Sequence, residues 1–419
     1  MSLQHKPPKE NKEIIVGLDL GTTRIDVIVA EVIDNTLKIV GLGDSPSEGM
    51  ANGVVVNIDR ATESIQKAIA QAEQMCGSDI YRVFVGVTGP HIVSLASNAT
   101  VPISTSGREI TQDDIDRAIE MSSVTQIPMD SQIIHQIPMD FIVDRQGGIT
   151  NPIGMTAVRF EANVYLAMAS RTALINIDTA LMRANLKLAE YVLAPLASSY
   201  AVLVDEQKEL GVAVVDLGGG TTDLAVYAGG TIRHASSHKM GCSKITDDLA
   251  YGLHTARLNA EKLKVQYGAC KIDRVEDKMV KIPGIAQNDD REIPRSELVN
   301  IIRPRVEEIL GQVVEELNRT RLHQELGAGI VLTGGGAQLE GIRELASEIF
   351  KLPVMIGSPV GLSGLSNIVS SPSRATGVGL VLFAYQEWKK RGGALYRDQE
   401  SGKVGAVFKS IWKTLKRFI

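Results

Sequence analysis

An α/β protein of two related halves with a cleft between them, and a smaller α+β subdomain inserted in the first half, is the fold class this sequence predicts. Recurrence is the main ground for it. A strand ending in aspartate and opening into a Gly-Thr-Thr turn, Gly17-Leu18-Asp19-Leu20-Gly21-Thr22-Thr23, comes back about 200 residues later as Val215-Asp216-Leu217-Gly218-Gly219-Gly220-Thr221-Thr222-Asp223. A third strand runs into Thr333-Gly334-Gly335-Gly336-Ala337 and then a helix. The insertion shows as a change of texture from 84 to 165, where short β-rich runs surround a single helix.

The elements follow in order. Residues 1–12 are polar, carry Pro7-Pro8, lack the apolar core of a signal peptide and are expected to be a disordered tail. Ile14 to Ala30 reads as two strands around the first turn, and Ala61 to Met75 as a helix with Ile65, Ala68, Ile69 and Ala72 on one face. In the insertion, Val83–Val87, Ile133–Val143 and Val158–Leu166 read as strands, and Asp113–Ser122 as a helix with Thr111 as its N-cap. Ile-Pro-Met-Asp occurs at 127–130 and again at 137–140, as edge-strand punctuation, since proline cannot donate to a ladder. Arg171 to Pro195 returns to a helix and then a strand.

In the second half Val212–Asp216 and Leu224–Tyr227 are apolar strands of a sheet covered on both faces. A charged helical region runs from Thr246 to about Leu326, broken near Pro283-Gly284 and Pro294. Strand Ile330–Leu332, helix Leu339–Phe350 and helix Ala375–Trp388 close the body. The first half is thus expected to span 13–83, the insertion 84–165, and the return 166–200. The second half spans 201–228, a subdomain 229–310, and 311–372, with a helix 373–388 returning to the first half. A flexible linker, 389–402, then precedes a last helix, 403–419.

Composition narrows the function classes. With 419 residues the chain exceeds one core, and 44% hydrophobic with 22% charged residues is ordinary for a globular protein. A net charge of −5 and only 4% aromatics argue against nucleic acid as a partner, for want of both basic surface and stacking platforms. No stretch approaches the ~18 apolar residues that span a bilayer. Cys76, Cys242 and Cys270 stand apart without metal-ligand spacing, as expected of a reducing, cytosolic compartment.

The glycine turns carry the chemistry. Without Cβ atoms, backbone N–H groups come within hydrogen-bonding distance of phosphate oxygens, and Thr22, Thr23, Thr221 and Thr222 add hydroxyls. Asp19 and Asp216 cannot hold phosphate; ending buried strands, they are placed to orient the waters of a hydrated Mg2+. One such turn is as a rule only a tight turn, but three in this order imply two halves gripping one phosphate chain. The chain has no Walker A sequence.

These motifs resemble the two phosphate motifs and the adenosine motif of the actin, sugar-kinase and heat-shock-chaperone ATPase superfamily. Ala189–Leu203 and Ala375–Ala384 are similar to its two connecting helices. Within it, Leu193-Ala194-Pro195-Leu196-Ala197-Ser198-Ser199-Tyr200, Glu209-Leu210-Gly211-Val212, Ile330–Gly335 and Arg374-Ala375-Thr376-Gly377-Val378-Gly379-Leu380 resemble the FtsA family of bacterial cell-division proteins, as does the inserted subdomain. The resemblance implies an actin-like two-domain ATPase fold with ATP in the cleft. Its cofactor-binding residues would be Gly21, Thr22, Thr23, Gly218, Gly219, Gly220, Thr221, Gly334, Gly335 and Gly336, with Gly241-Cys242 approaching the phosphates. Glu261 and Lys264, one helical turn apart, would flank purine and ribose; by spacing alone they are equally an exposed ion pair. Where superfamily ATPases carry a water-orienting glutamate before the proline of the first connecting motif, this chain has Ala194, so hydrolysis is expected to be slow. By resemblance, the partners are the C-terminal tail of the tubulin-like FtsZ, further copies in an actin-like filament, and other division proteins. The place is the cytoplasmic face of the inner membrane at the division site. A basic groove of Arg295, Arg303 and Arg305 would suit the FtsZ peptide, though such a run is usually a solvated helix face. The rival reading, a sugar or small-molecule kinase of the same superfamily, has no use for a basic amphipathic tail. A chaperone would need a long substrate domain, and about thirty residues follow Trp388.

The tail itself is read from its residues. Lys403 to Ile419 carries four Lys and one Arg with no acid. At ~100° per residue, Val404, Val407, Phe408, Ile411, Trp412, Leu415, Phe418 and Ile419 fall within an arc of about 140°, with every cation opposite. Such a helix lies in the interface of an anionic membrane. The tail contributes +5, so the remainder is formally −10 and is repelled by the same surface. One helix therefore binds reversibly, and neighbours in a polymer bind by avidity. His234 and His238 are four apart without a third ligand, and the other histidines are scattered, so no metal site is expected of them.

Overall fold

The structure, a computed structural model, describes residues 13–124, 127–274, 276–284 and 290–393. The polar tail 1–12, linker residues 394–402 and the amphipathic helix 403–419, with its membrane residues Val407, Phe408, Ile411, Trp412, Leu415 and Phe418, lie outside the described residues.

The two halves share one sheet plan. In the first, Glu13–Leu20, Arg24–Ile33 and Thr36–Pro46 form an antiparallel meander, and Arg82–Val87 and Lys187–Leu193 add in parallel beyond Glu13–Leu20. In the second, Val212–Leu217, Thr222–Ala228 and Thr231–His238 form the meander, and Gly329–Thr333 and Val354–Ile356 add in parallel. The central strands are buried along nearly their whole length, as their continuous apolar runs require of a sheet covered on both faces. Registers coincide as well: Asp19 lies opposite Asp26, and Asp216 opposite Asp223.

Helix Ile58–Cys76 begins where Asn57 accepts the Arg60 N–H at 3.0 Å and ends at Gly77 in the left-handed region. It buries Ile65, Ala68, Ile69 and Ala72 on the first sheet. The connecting helices are Ala194–Val202 and Ala375–Lys390. The first starts five residues later than expected, because Lys187–Leu193 continues as a strand. The second runs through Lys389 and Lys390, expected in the linker, with Lys390 paired to Glu387.

The insertion packs helix Gln112–Val124 on a four-stranded antiparallel sheet in the order Gln146–Ile149, Ser131–Val143, Arg159–Ser170, Val93–Pro102. Thr111 stands before that helix, but its N–H and hydroxyl both donate to Asp114, the fourth residue of the turn, so the acid caps the threonine. Arg108 and Arg117 close on the same buried carboxylate and hold it well below the usual range. Pro138 sits inside strand Ser131–Val143, opposite Val164 at a bulge, so the ladder steps around its missing N–H. His135 in the same strand accepts the Leu193 N–H at 3.0 Å, and burial pushes it down to about 4, so it ties the insertion to the first sheet as a neutral ring.

Two expectations need correction in the second half. The charged region is not helical throughout: helices Ser243–Gly252 and Arg257–Tyr267 are followed by a hairpin, Met279–Ile282 with Arg291–Pro294, and then helix Arg295–Arg319. Val280, Ile282 and Ile293 supply the hairpin's buried face, a period-2 pattern beside the break at Pro283-Gly284. The helix expected from Leu339 begins at Ile342, after a 3₁₀ turn over Gly335–Gln338.

The connecting helices meet at Gly379, where a Cβ would lie 1.8 Å from the Ala197 carbonyl oxygen. Helix propensity alone makes Gly379→Ala stabilising by about 1 kcal/mol, whereas overpacking backbone costs about 1–3 kcal/mol or more. We expect the clash to win: G379A should lower the melting temperature by several degrees in calorimetry, and an unchanged or raised value would refute this close approach.

Candidate functional site

The halves enclose a cavity of about 510 Å3. Asp19, Gly21, Thr22 and Thr23 line it from the first turn, and Asp216, Gly218, Gly219, Gly220 and Thr221 from the second. The third turn supplies Gly334, Gly335 and Gly336, and Cys242, Glu261 and Lys264 complete the expected set on its wall. Gly241 stands behind the second turn, where a Cβ would lie 2.5 Å from the Gly219 carbonyl oxygen. The Cys242 and Ser243 N–H groups bond the Gly218 and Gly219 carbonyls, each at 2.8 Å, so this segment fixes the turn's shape.

Bare backbone is a steric requirement at these turns. Cβ atoms on Gly219 and Gly220 would meet the Thr23 and Thr22 side chains of the opposite half, at 2.5 and 2.3 Å. Gly334, at φ +82°, leaves room for the Asp216 carboxylate, 2.2 Å from where its Cβ would stand. Thr222 departs from expectation: its hydroxyl donates to the Met240 carbonyl at 2.7 Å and is not free for a ligand.

Four carboxylates converge here. Asp216 accepts from the Thr376 hydroxyl at 3.0 Å, and burial raises its pKa. Asp19 is raised well above the usual range by burial, then by Asp26 and Asp216. Asp26 is held by Arg24 and Arg374. Asp223 accepts from Thr88 at 2.6 Å and is pushed up to about 7 by burial and by Asp216. Among the described residues no three His, Cys, Asp or Glu side chains are close enough together to hold a metal directly. Separated acids beside bare glycine turns fit a cation that keeps its own water shell.

Lys264 donates to Glu261 at 2.8 Å, to Thr246 at 2.9 Å and to the Cys242 carbonyl at 3.2 Å. The pair is therefore an ion pair and a lining of the cleft at once. Val265, Gly268 and Leu339 beside it form an apolar end suited to a base. Asp223, Asp26, Thr88 and Thr376 also line the cleft and were not singled out from sequence. One signal was available: acids seven positions apart, Asp19 with Asp26 and Asp216 with Asp223, repeat with the turns. Ala194 lines the wall at the start of the first connecting helix.

The arginine groove is not assembled as expected. Arg295 pairs with Glu340 at 2.7 Å, Arg303 with Glu307 at 2.7 Å, and Arg305 with Asp248 at 2.6 Å. Their partners lie on different elements, so the three make a balanced surface instead of one basic pocket. His234, in strand Thr231–His238, bonds Glu316 of helix Arg295–Arg319 at 2.7 Å. No helix among the described residues is long and apolar enough to cross a membrane.

Against known proteins, the family profile "Cell division protein FtsA" matches residues 213–379, and "SHS2 domain inserted in FTSA" matches residues 89–168. The chain is 39% identical over 381 residues to the cell division protein FtsA of Pseudomonas aeruginosa, covering 90% of this chain and 91% of that one. It is 41% identical to the FtsA of Neisseria meningitidis serogroup B (89% and 90% covered) and 34% identical to that of Escherichia coli K12 (97% and 98% covered). In fold it resembles a PilM-PilN type IV pilus biogenesis complex, with TM-score 0.64 at 16% identity, covering 88% of this chain and 98% of that one. It also resembles MreB5 of Spiroplasma citri bound to ADP, with TM-score 0.56 at 15% identity, covering 90% and 98%.

The raised acids set a pH dependence. Asp223 and Glu190 are both pushed up to about 7, chiefly by burial, against ~4 for unfolded carboxylates. Between these values the folded state binds more protons than the unfolded, so stability is highest below about pH 4 for these groups and falls as pH rises to about 7. We expect Asp223→Asn to flatten the decline in denaturant midpoint between pH 5 and pH 7.5; an unaltered slope would show that Asp223 ionises normally.

Proposed function

The chain belongs to the FtsA family of cell-division proteins, and on that premise we propose that it is an ATP-dependent filament former that ties FtsZ filaments to the membrane. ATP and Mg2+ occupy the cleft, copies assemble into an actin-like filament, and 403–419 attaches it to the cytoplasmic face of the inner membrane at the division site. The observation that carries the nucleotide is the doubled cradle, two glycine turns from related halves packed so closely that methyl groups would collide. A like-folded MreB5 bound to AMPPNP, with TM-score 0.54, supports it.

In this reading the backbone N–H groups of Gly218–Gly220, Gly335 and Gly336, with the Thr22, Thr23 and Thr221 hydroxyls, hold the phosphates, while the Gly334 N–H is taken by the Pro372 carbonyl at 3.1 Å. Asp19 and Asp216 would hold the water shell of Mg2+, which would supply positive charge beside the phosphates. Glu261 and Lys264 meet the ribose, and Val265 and Leu339 the base. Ala194 presents a methyl where a carboxylate would orient attacking water, so ATP serves chiefly as a ligand bridging the halves. Asp216→Ala should abolish Mg-dependent ATP binding in calorimetry, and wild-type turnover should stay well below ~10 s⁻¹. Equal affinity in the variant would remove the metal assignment, and ordinary turnover would show that another group orients the water.

FtsZ docks on the second-half subdomain, 229–310, and the tail supplies the membrane. Trp412 lies at one edge of the apolar arc, next to Ile419 and Phe408, so Trp412→Glu removes the largest apolar side chain of that face and puts a charge on it at a cost of a few kcal/mol, on the order of what a single helix gains. Full-length protein should float with anionic vesicles, carry FtsZ with it and detach as salt rises. The W412E variant and a chain lacking 403–419 should leave both proteins in the dense fraction while still binding ATP. If the truncated chain floats, the tail is not the anchor; if FtsZ stays behind when the full chain floats, the partner is wrong.

A further inference from the structure

The inserted subdomain touches the second half of the molecule as well as the first from which it springs. At its root, Thr88 donates to Asp223 at 2.6 Å, and its hydroxyl oxygen lies 2.9 Å from that of Ser237. The Gly89 N–H donates to Ser237 at 3.0 Å. Further out, Ser94 donates to the Ala235 carbonyl at 2.6 Å and Arg233 reaches Asp140 at 3.2 Å. All these contacts fall on strand Thr231–His238 or on Asp223, which lines the cleft.

The donors run one way. Thr88 gives its only proton to Asp223, so Ser237 donates to Thr88 and toward Asp223, and itself accepts from Gly89. On the cleft side, Thr221 donates to the other Asp223 oxygen at 3.4 Å. Asp223 is thus the shared acceptor of a hydroxyl on the second phosphate turn and of the hydroxyl from which the insertion departs. The first turn abuts the same place: the Gly53 N–H donates to Thr22 at 3.2 Å, and a Cβ on Gly53 would lie 2.8 Å from the Thr88 carbonyl oxygen.

We propose that the Thr88–Asp223–Ser237 relay couples what fills the cleft to how firmly the inserted subdomain is held against strand Thr231–His238. The proposal rests on the nucleotide reading above. Apolar contacts of Ile92, Ile137 and Met139 with the core keep the subdomain close in any state, and the directional bonds set its register. A phosphate that draws the Thr221 hydroxyl leaves Asp223 to the root hydroxyls of Thr88 and Ser237 and tightens the root. Two sites are then linked through one bistable hydrogen-bond set, which is the physical requirement for coupling between them. His91, just beyond the root, has both ring nitrogens buried without a hydrogen-bond partner among the described residues.

Hydrogen–deuterium exchange of the full chain with and without Mg·ATP tests this, with segment 212–217 reporting the cleft and 93–102 the insertion. In the wild type, both should slow with ATP, the insertion by about 3- to 10-fold, the equilibrium worth of one net hydrogen bond. In Ser237→Ala, whose site lies outside the cleft lining, 212–217 should still respond while 93–102 does not. Thr88, which lines the cleft, serves only to read the insertion: Thr88→Val should lose the response at 93–102 and Thr88→Ser should restore it. A response at 93–102 that persists in both S237A and T88V, or is missing in a wild type whose cleft responds, overturns the coupling and leaves ATP binding intact. No response at 212–217 in the wild type overturns the nucleotide reading and the coupling with it.

Discussion

Two helix backbones that leave no room for a methyl between Gly379 and Ala197 fix how the halves of this molecule face each other. Both helices begin at the cleft: Ala194 opens one and lines the wall, while Thr376, in the first turn of the other, bonds Asp216. Arg374, just before that second helix, closes on Asp26 of the first sheet. The helix crossing and the arrangement of cleft acids are therefore one constraint seen at two places.

The cleft is an electrostatic tension held by packing. Asp19, Asp26, Asp216 and Asp223 stand on paired strands, Arg24 and Arg374 close on Asp26, and burial raises the pKa of all four. Natural cores rarely bury uncompensated acids unless a ligand uses them, because each costs several kcal/mol. Here the same hairpin geometry that brings the acids together also bares the glycine turns, so carboxylates and bare backbone stand side by side. Duplicating that hairpin doubles both.

Legibility followed the range of the interactions. Helix Ile58–Cys76 was readable because its apolar residues recur at helical spacing and Gly77 ends it. The strand cores 212–217 and 329–333 were readable as unbroken apolar runs. Strand Thr231–His238 was not, since a half-buried edge strand with only Ile232 and Ala235 in the core carries almost no alternation. The paired strands Met279–Ile282 and Arg291–Pro294 had their period-2 signal, obscured by the Pro283-Gly284 that follows the first.

What the residues determined alone was the set of three glycine turns, their order, and the cleft they imply, because a bare backbone beside a strand end is a local property. The basic amphipathic pattern of 403–419 is equally local. Only the tertiary structure decided which of chemically equal groups face the cleft: Thr221 lines it while Thr222 bonds Met240, and Asp223 looks across to Thr88. It also decided that Arg295 pairs with Glu340 and Arg305 with Asp248, each on another element. A hydroxyl or guanidinium takes whichever partner long-range packing brings within about 3 Å, and no spacing along the chain encodes that choice.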